Sequence, residues 1–106
     1  MTLPTGVDDI LPHFQKLLSD GKEHRSDEIF EALAQQFRLT SQERDERNAN
    51  GGLRFQNLIA WCKAYCTMAE FTELGDEDTL CLTPAGKEAN SKNPRWTVIY
   101  LKSFKD

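Results

Sequence analysis

A two-faced helical segment that runs straight into a short hairpin is the strongest constraint on the fold of this chain. Residues 54–70, RFQNLIAWCKAYCTMAE, place their apolar side chains on one arc when each residue is turned by about 100°. Residues 71–83, FTELGDEDTLCLT, then put two short β-prone stretches on either side of an acidic turn. The pattern predicts a stiff amphipathic helix followed by a two-stranded ribbon, with strands near residues 71–74 and 79–82.

Further helical patterns flank this unit on both sides. Apolar residues at helical spacing predict a first helix capped by Asp8 or Asp9 and a second helix capped by Ser26. The tetrad TSQE, residues 40–43, is a capping box and predicts a short charged helix. After the hairpin, Thr83 and a following proline predict a short helix, and the β-branched and aromatic run WTVIYLK, residues 96–102, predicts a final strand.

Three main helices followed by a hairpin is the element order of the winged-helix fold. The chain is therefore predicted to be an α/β protein of the α+β type, with a three-helix core, a β-hairpin wing and an appended C-terminal helix and strand. Residues 1–92 are predicted to form the winged-helix domain, and residues 93–106 a C-terminal strand or extension of the same domain. Because residues 96–102 are apolar on both faces, their strand also permits a homodimer through strand pairing.

Composition limits the class of protein and the kind of partner. A length of 106 residues fits one domain. No apolar run approaches the roughly 20 residues that cross a membrane, and the N-terminus lacks the features of a signal peptide, so we expect a cytoplasmic protein with no membrane partner. The net charge of −4 disfavours nucleic-acid binding, although only the contacting face has to be positive.

The face of the long helix opposite its apolar arc is narrow and polar. Its alanines permit close approach to base edges, and the amides of Gln56 and Asn57 have the geometry that pairs with adenine in the major groove. The sequence therefore predicts double-stranded DNA as the partner, with a reading face made of Arg54, Gln56, Asn57, Lys63 and Thr67. The alternative is an ordinary amphipathic helix whose outer face contacts only water.

The distribution of charge outside the long helix leaves two functions open. The predicted wing carries Glu73, Asp76, Glu77 and Asp78 and no basic residue, so it would repel phosphates. Residues 87–106 carry five basic and two acidic residues, which would supply phosphate contacts. A contiguous positive stripe across Arg54, Lys63 and these lysines would support DNA binding. A broken stripe would support a protein-interaction or dimerisation module that has lost its DNA-binding face.

No residue pattern indicates an enzyme. Cys62 and Cys66 are one helical turn apart, but they lie on the apolar arc without matching ligands, so we expect core cysteines and no metal site. His13 and His24 have no nucleophile or carboxylate at a diagnostic spacing, and no phosphate-binding glycine loop is present. We therefore predict no catalytic residue, no cofactor and no small-molecule substrate.

Five ordered segments resemble the N-terminal domain of Mrr-type restriction proteins. These segments are the opening MTLPTGVDDILPHFQKLL, the helix SDEIFEAL, the stretch LTSQER, an aromatic–x–Asn–x–x–small–Trp pattern formed by Phe55, Asn57, Ala60 and Trp61, and LCLTPAGKEA. The resemblance covers residues 1 to about 90. It implies a winged-helix domain that recognises DNA through the long helix, in a restriction-like defence system or a regulator. Carried over by position, Asn57 is assigned to DNA and Trp61 mainly to packing.

The chain departs from the family pattern on the side that the resemblance assigns to DNA. Family members often carry basic residues where this chain has Thr67 and Met68, a residue that can be basic at Leu58, and a glycine at Glu70. The nuclease domain of the family is missing, since about 16 residues remain after residue 90. The resemblance therefore implies recognition of DNA without cleavage.

Overall fold

The computed structural model describes residues 6–47, 49, 51–75, 78–92 and 95–103. Apart from one strand of two residues, the elements follow the order that the sequence predicts as far as the helix after the hairpin. The elements are α1 (Val7–Leu18), β1 (His24–Arg25), α2 (Ser26–Gln36), α3 (Ser41–Arg44), α4 (Arg54–Met68), β2 (Thr72–Leu74), β3 (Thr79–Leu82), α5 (Pro84–Lys92) and α6 (Val98–Lys102). This architecture confirms the predicted α+β class: a helical core with a small antiparallel sheet, in an arrangement consistent with a winged-helix-like fold.

The core lies where α1, α2 and α4 meet. Each helix turns an apolar stripe inward, and the largest side chains are fully buried, among them Phe14 of α1, Ile29 of α2 and Phe55 of α4. Phe55 also makes edge-to-face contacts with Phe30 and Phe37, with ring centroids 5.6 and 6.1 Å apart. Each buried side chain of this size contributes about 1.5–3 kcal/mol relative to an exposed one. These contacts fix α4 by its inner face.

The sheet has three strands, one more than the sequence predicts. Its order is β1-β3-β2, with antiparallel pairing throughout. In β1, His24 pairs with Leu80, while in β2 Thr72 pairs with Leu82. The strand β1 escaped prediction because two residues are too few to show an alternating pattern. It joins the start of α2 to the hairpin.

The short helix α3 confirms the capping box that the sequence predicts. The Thr40 side chain accepts a hydrogen bond from the backbone of Glu43 at 3.1 Å, and the Glu43 carboxylate accepts one from the backbone of Thr40 at 2.9 Å. Two of the otherwise unpaired donors at the helix start are thereby satisfied.

The prediction of a C-terminal strand over residues 96–102 is wrong. Residues Val98–Lys102 form the helix α6 instead. The hydroxyl of Thr97 caps it by accepting from the backbone of Tyr100 at 3.1 Å, and Asp8 of α1 accepts from the backbone of Val98 at 2.8 Å. Local β propensity is overridden because the preceding Trp96 is fully buried beside Phe71, with ring centroids 5.1 Å apart. The homodimer that was predicted to pair through this strand loses its structural basis.

No helix in the described part of the chain is both long enough and apolar enough to cross a membrane.

Candidate nucleic-acid interface

The outer face of α4 is not covered by the rest of the described chain. Its inner positions Phe55, Ile59, Cys62 and Cys66 are buried in the core. A contiguous set of side chains on the opposite side is exposed, namely Gln56, Asn57, Ala60, Trp61, Ala64 and Thr67. The helix therefore presents to solvent the low, amide-bearing surface that a base-reading helix requires.

The end of α4 is fixed by a Schellman motif, in which the last turn is closed by a left-handed residue. The backbone of Phe71 donates to the carbonyl of Cys66, and that of Glu70 to the carbonyl of Thr67, both at 2.9 Å. Glu70 adopts the left-handed conformation, with φ of 64°. Strand β2 begins four residues after the end of α4. The motif therefore joins the helix and the hairpin into one rigid unit.

Three of the five predicted reading residues present their side chains to solvent. Gln56 and Asn57 are exposed on adjacent positions near the start of α4. Thr67 is exposed near its end, and its hydroxyl lies 3.0 Å from the hydroxyl of Thr72 on β2. The two amides are therefore accessible from solvent, whereas the Thr67 hydroxyl is engaged with the hairpin.

The two predicted cations, Arg54 and Lys63, are half-buried and bound to the protein itself. Arg54 forms an ion pair with Glu46, with Nη1 and Oε1 2.9 Å apart. Lys63 Nζ donates to the hydroxyl of Ser26 on α2 at 2.6 Å. Each side chain retains further N–H donors, but part of the positive charge at Arg54 is offset by its partner.

An open groove runs along the α2 side of α4. It encloses about 650 Å³, and we name it the α2–α4 groove. The residues that line it are Ser26, Asp27, Phe30, Glu31, Arg44, Asp45, Leu53, Gln56, Ile59, Ala60, Lys63 and Asp78. Four of these residues are acidic and two are basic, so the groove has an excess of negative charge. Two of the five predicted reading residues, Gln56 and Lys63, therefore line a surface that repels phosphates.

The wing is held against the body of the protein. Ser26 donates to the backbone carbonyl of Asp78 at 3.4 Å, and Thr79 donates to the carboxylate of Glu23 at 2.8 Å. Asp76 and Glu77, at the predicted acidic tip, lie outside the described residues. The acidic Asp78 thus lies at the rim of the α2–α4 groove.

The basic residues after α4 do not line up along it. Lys102 Nζ lies 5.8 Å from the ring centroid of Tyr65, which places this lysine at the side of α4 opposite the groove. Lys92 pairs with Glu88 on α5 at 3.0 Å, Lys87 lies beside Gly21, and Lys105 is outside the described residues. Across the described part of the chain, the positive stripe that would favour DNA is therefore broken.

Trp61 has a different environment from the one predicted, since packing does not cover it. Half of its surface is exposed (50%), and its ring lies 5.8 Å from that of Tyr65. The two rings lie between the outer face of α4 and Lys102 of α6. Helical periodicity placed Trp61 at the margin of the core, and in the structure this position is exposed to solvent. Its inclusion in the motif with Asn57 was the signal that it belongs with the outer face.

The cysteines of α4 belong to the core, as the sequence predicts. Cys62 and Cys66 are buried, and burial raises the pKa of the Cys62 thiol to about 12 and also raises that of Cys66. Cys81 is half-buried on the opposite face of β3 from Leu80 and Leu82. Among the described residues, no cluster of three or more histidine, cysteine or acidic side chains is arranged to hold a metal ion.

Comparison with known proteins identifies one family. The family model described as the Mrr N-terminal domain matches residues 8–92, which include every element from α2 to α5 and most of α1. No curated protein and no solved structure shows a significant match to the chain. The match confirms the resemblance that the five sequence segments carry.

Proposed function

The chain belongs to the Mrr N-terminal domain family, and from this premise we propose that it binds double-stranded DNA with the outer face of α4 in the major groove. The observation that carries the proposal is the uncovered position of Asn57, flanked one turn later by the small side chain of Ala60. A groove-reading helix needs an amide or guanidinium that can reach a base edge without neighbouring bulk. The setting that the family suggests is a restriction-type defence system.

Base reading falls to Asn57 and Gln56 in this proposal. The amide of asparagine or glutamine accepts from N6 and donates to N7 of adenine, and such a bidentate pair discriminates by about 1–3 kcal/mol. Ala60 and Ala64 keep the centre of α4 low, so the helix axis lies close to the groove floor. Trp61 stands at the edge of this surface, where its exposed ring can contact a thymine methyl group or a sugar.

Phosphate contacts fall to the side of α4 away from the α2–α4 groove. Lys102 flanks the exposed aromatic pair there, and Arg54 marks the start of the helix. On the groove side, Asp27, Asp45 and Asp78 repel the second phosphate strand. This arrangement supports binding that is weak at physiological salt and that strengthens steeply as salt is lowered.

A duplex titration at low and moderate salt tests the proposal. We expect Asn57→Ala to lower affinity for the preferred site by roughly tenfold or more while leaving non-specific binding nearly unchanged. Lys102→Ala should weaken binding to every sequence alike and reduce the salt slope by about one. Lys92→Ala removes a lysine that is paired on α5 and is the matched control. Absence of binding by the wild type at low salt would exclude the proposed function.

The second candidate is a self-association module. It is favoured by the broken positive stripe along α4 and by exposed apolar side chains on neighbouring helices, since Trp61 of α4 is 50% exposed and Ile99 of α6 is 81% exposed. A second copy of the chain would cover this surface by helix packing. Light scattering after size exclusion tests it: Ile99→Ser should shift a dimer to monomer, whereas Leu74→Ser, on the wing and 70% exposed, should not. A wild type that stays monomeric at high concentration rules out this candidate.

A further inference from the structure

We propose that the α2–α4 groove is a docking site for a basic peptide segment, in which an apolar side chain is flanked by lysine or arginine residues. The partner would be another protein that supplies this segment. The groove borders the proposed DNA-reading face of α4 and shares Gln56 and Ala60 with it, but the proposal does not rest on DNA binding. It follows from the shape of the groove, its apolar floor and the sign of its rim.

The floor of the groove is apolar and shaped by three elements. Phe30 of α2 and Ile59 and Ala60 of α4 line it, and Leu53, at the start of α4, closes one end. Phe30 is half-buried and held edge-to-face against Phe55, so its position is fixed by the core. A volume of about 650 Å³ lies within the size range of ligand clefts, and it is far too large for a single cation. The floor therefore suits an apolar side chain of the occupant.

The rim of the groove has a net negative charge after its own pairings are counted. Arg44 neutralises Glu31, because both of its terminal nitrogens lie 2.9 Å from a carboxylate oxygen of that residue. Lys63 is the one other cation in the lining, which also contains Asp27, Asp45 and Asp78. The lining thus keeps two negative charges in excess.

Two rim carboxylates are free to accept a new cation. Asp45, at the end of α3, and Asp78, at the end of the wing, form no ion pair with any described residue. Asp27 is paired on its outer side with Arg25 at 3.4 Å, and both side chains of that pair are largely exposed. The rim therefore offers acceptors from two separate elements around one apolar floor.

The apolar floor and the acidic rim together favour a peptide over other ligands. A nucleic acid is repelled by the sign of the rim, and a purely polar polyamine would leave the floor uncovered. A peptide offers an apolar side chain for the floor and flexible cationic side chains for Asp45 and Asp78 at once. Gln56 and Ser26 add polar groups that can bond to its backbone.

Fluorescence anisotropy with defined peptides tests the proposal on the full chain. The probe is a short labelled peptide in which lysine and leucine alternate. One control peptide has glutamate in place of lysine, and a second has serine in place of leucine. We expect binding of the lysine–leucine peptide at low salt, no binding of the glutamate peptide and markedly weaker binding of the serine peptide. Backbone amide shifts in a heteronuclear NMR titration should centre on Leu53, Gln56 and Ala60.

Variants locate the site. Asp45→Asn and Asp78→Asn should each weaken binding by roughly twofold to fivefold, the range for a partly exposed ion pair. Asparagine tolerates the positive φ of 60° at Asp78, so this change preserves the backbone. Ala60→Lys should abolish binding, because it places a cation on the groove floor. Glu88→Gln on α5 removes the same single charge outside the groove and is the matched control.

Three outcomes would overturn the proposal: no binding at low salt, equal binding of the glutamate or serine peptide, and equal weakening by Glu88→Gln and the rim variants. The duplex titration is run on the same protein samples. A wild-type protein that binds the duplex but not the lysine–leucine peptide overturns the docking site alone. A wild-type protein that binds this peptide but not the duplex overturns the DNA proposal alone.

Discussion

The left-handed backbone conformation of Glu70 has a conformational free-energy cost that a glycine at this position would avoid. Glu70 closes the Schellman motif after α4 with φ of 64°, a conformation that costs a residue with a Cβ atom about 1–2 kcal/mol. The family pattern often has glycine at this position. The departure that looked like a change of surface charge is therefore mainly a change in backbone strain.

Replacing Glu70 tests this interpretation. We expect Glu70→Gly to raise the free energy of unfolding by roughly 0.5–1 kcal/mol, because the relief of strain exceeds the added entropy of the unfolded chain. Urea denaturation measures the change. Glu70→Ala removes the carboxylate but keeps Cβ, and it should give less than half of the gain. Equal gains would assign the effect to the acidic charge at the negative end of the helix instead.

The sequence predicted the positions of the reading residues but not their partners. Helical periodicity alone placed Gln56 and Asn57 on the outer face of α4, since that placement depends only on local geometry. It gave no information that Glu46 lies beside Arg54 or that Ser26 lies beside Lys63, because those contacts depend on how separate helices pack. The electrostatic character of the site is therefore a tertiary property.

At the scale of elements, local patterns succeeded where the sequence carries an apolar stripe, a turn or a capping box, and they failed where contacts with distant residues decide the structure. The apolar residues of α4 and the two β-prone stretches of the hairpin form patterns that can be recognised in the sequence. The two residues of β1 and the five residues of α6 form no such pattern. For α6, the decisive contacts come from Asp8 and from the buried Trp96, which are remote from or outside the helix.

A histidine clamp joins three elements. His24 of β1 is buried (9% exposed), and its two ring nitrogens bond to Asp20, just after α1, and to Glu28 of α2. Burial by itself would lower the pKa of His24, but the hydrogen bonds to the two carboxylates outweigh it and raise that pKa. The hydrogen bond from His24 in turn lowers the pKa of Asp20. The imidazole thus links the end of α1, through Asp20, to β1 and α2.

This clamp makes the stability of the fold depend on pH. Because the folded pKa of His24 is raised, its contribution is complete below its unfolded pKa of about 6.5 and is lost as pH rises through the folded value. We expect the urea midpoint to fall between mildly acidic and mildly alkaline pH. His24→Gln should remove this fall, and Glu28→Gln should reduce it. A fall of the same size in His24→Gln would show that other groups cause it.

At the scale of the whole molecule, the core extends past the segment that the family match covers. The match ends at residue 92, yet Trp96 and Leu101 are both fully buried. The backbone of Trp96 donates to Gln15 of α1 at 2.8 Å, and Gln15 donates to Asn90 of α5 at 2.7 Å. The C-terminal segment therefore packs as part of the same core as α1 and α5.

Truncating Trp96 should show how much the fold depends on this segment. We expect Trp96→Ala to lower the free energy of unfolding by about 3–5 kcal/mol, as for other large aromatic truncations. Trp96→Phe should cost much less, since the indole Nε1 is buried without a hydrogen-bond partner in the described structure. Chemical denaturation followed by circular dichroism measures both. A small effect of Trp96→Ala would mean that the segment is peripheral to the core.

The bonds that fasten the hairpin, from Ser26 to Asp78 and from Thr79 to Glu23, also limit how much of a duplex this chain can touch. If α4 reads DNA as proposed and the hairpin stays bound to the body of the protein, α4 would read the bases by itself, and a single inserted helix covers only about three to four base pairs. A sequence of three to four base pairs recurs throughout any genome. Recognition of one specific site would then require several such helices bound side by side, through repeated modules or paired molecules.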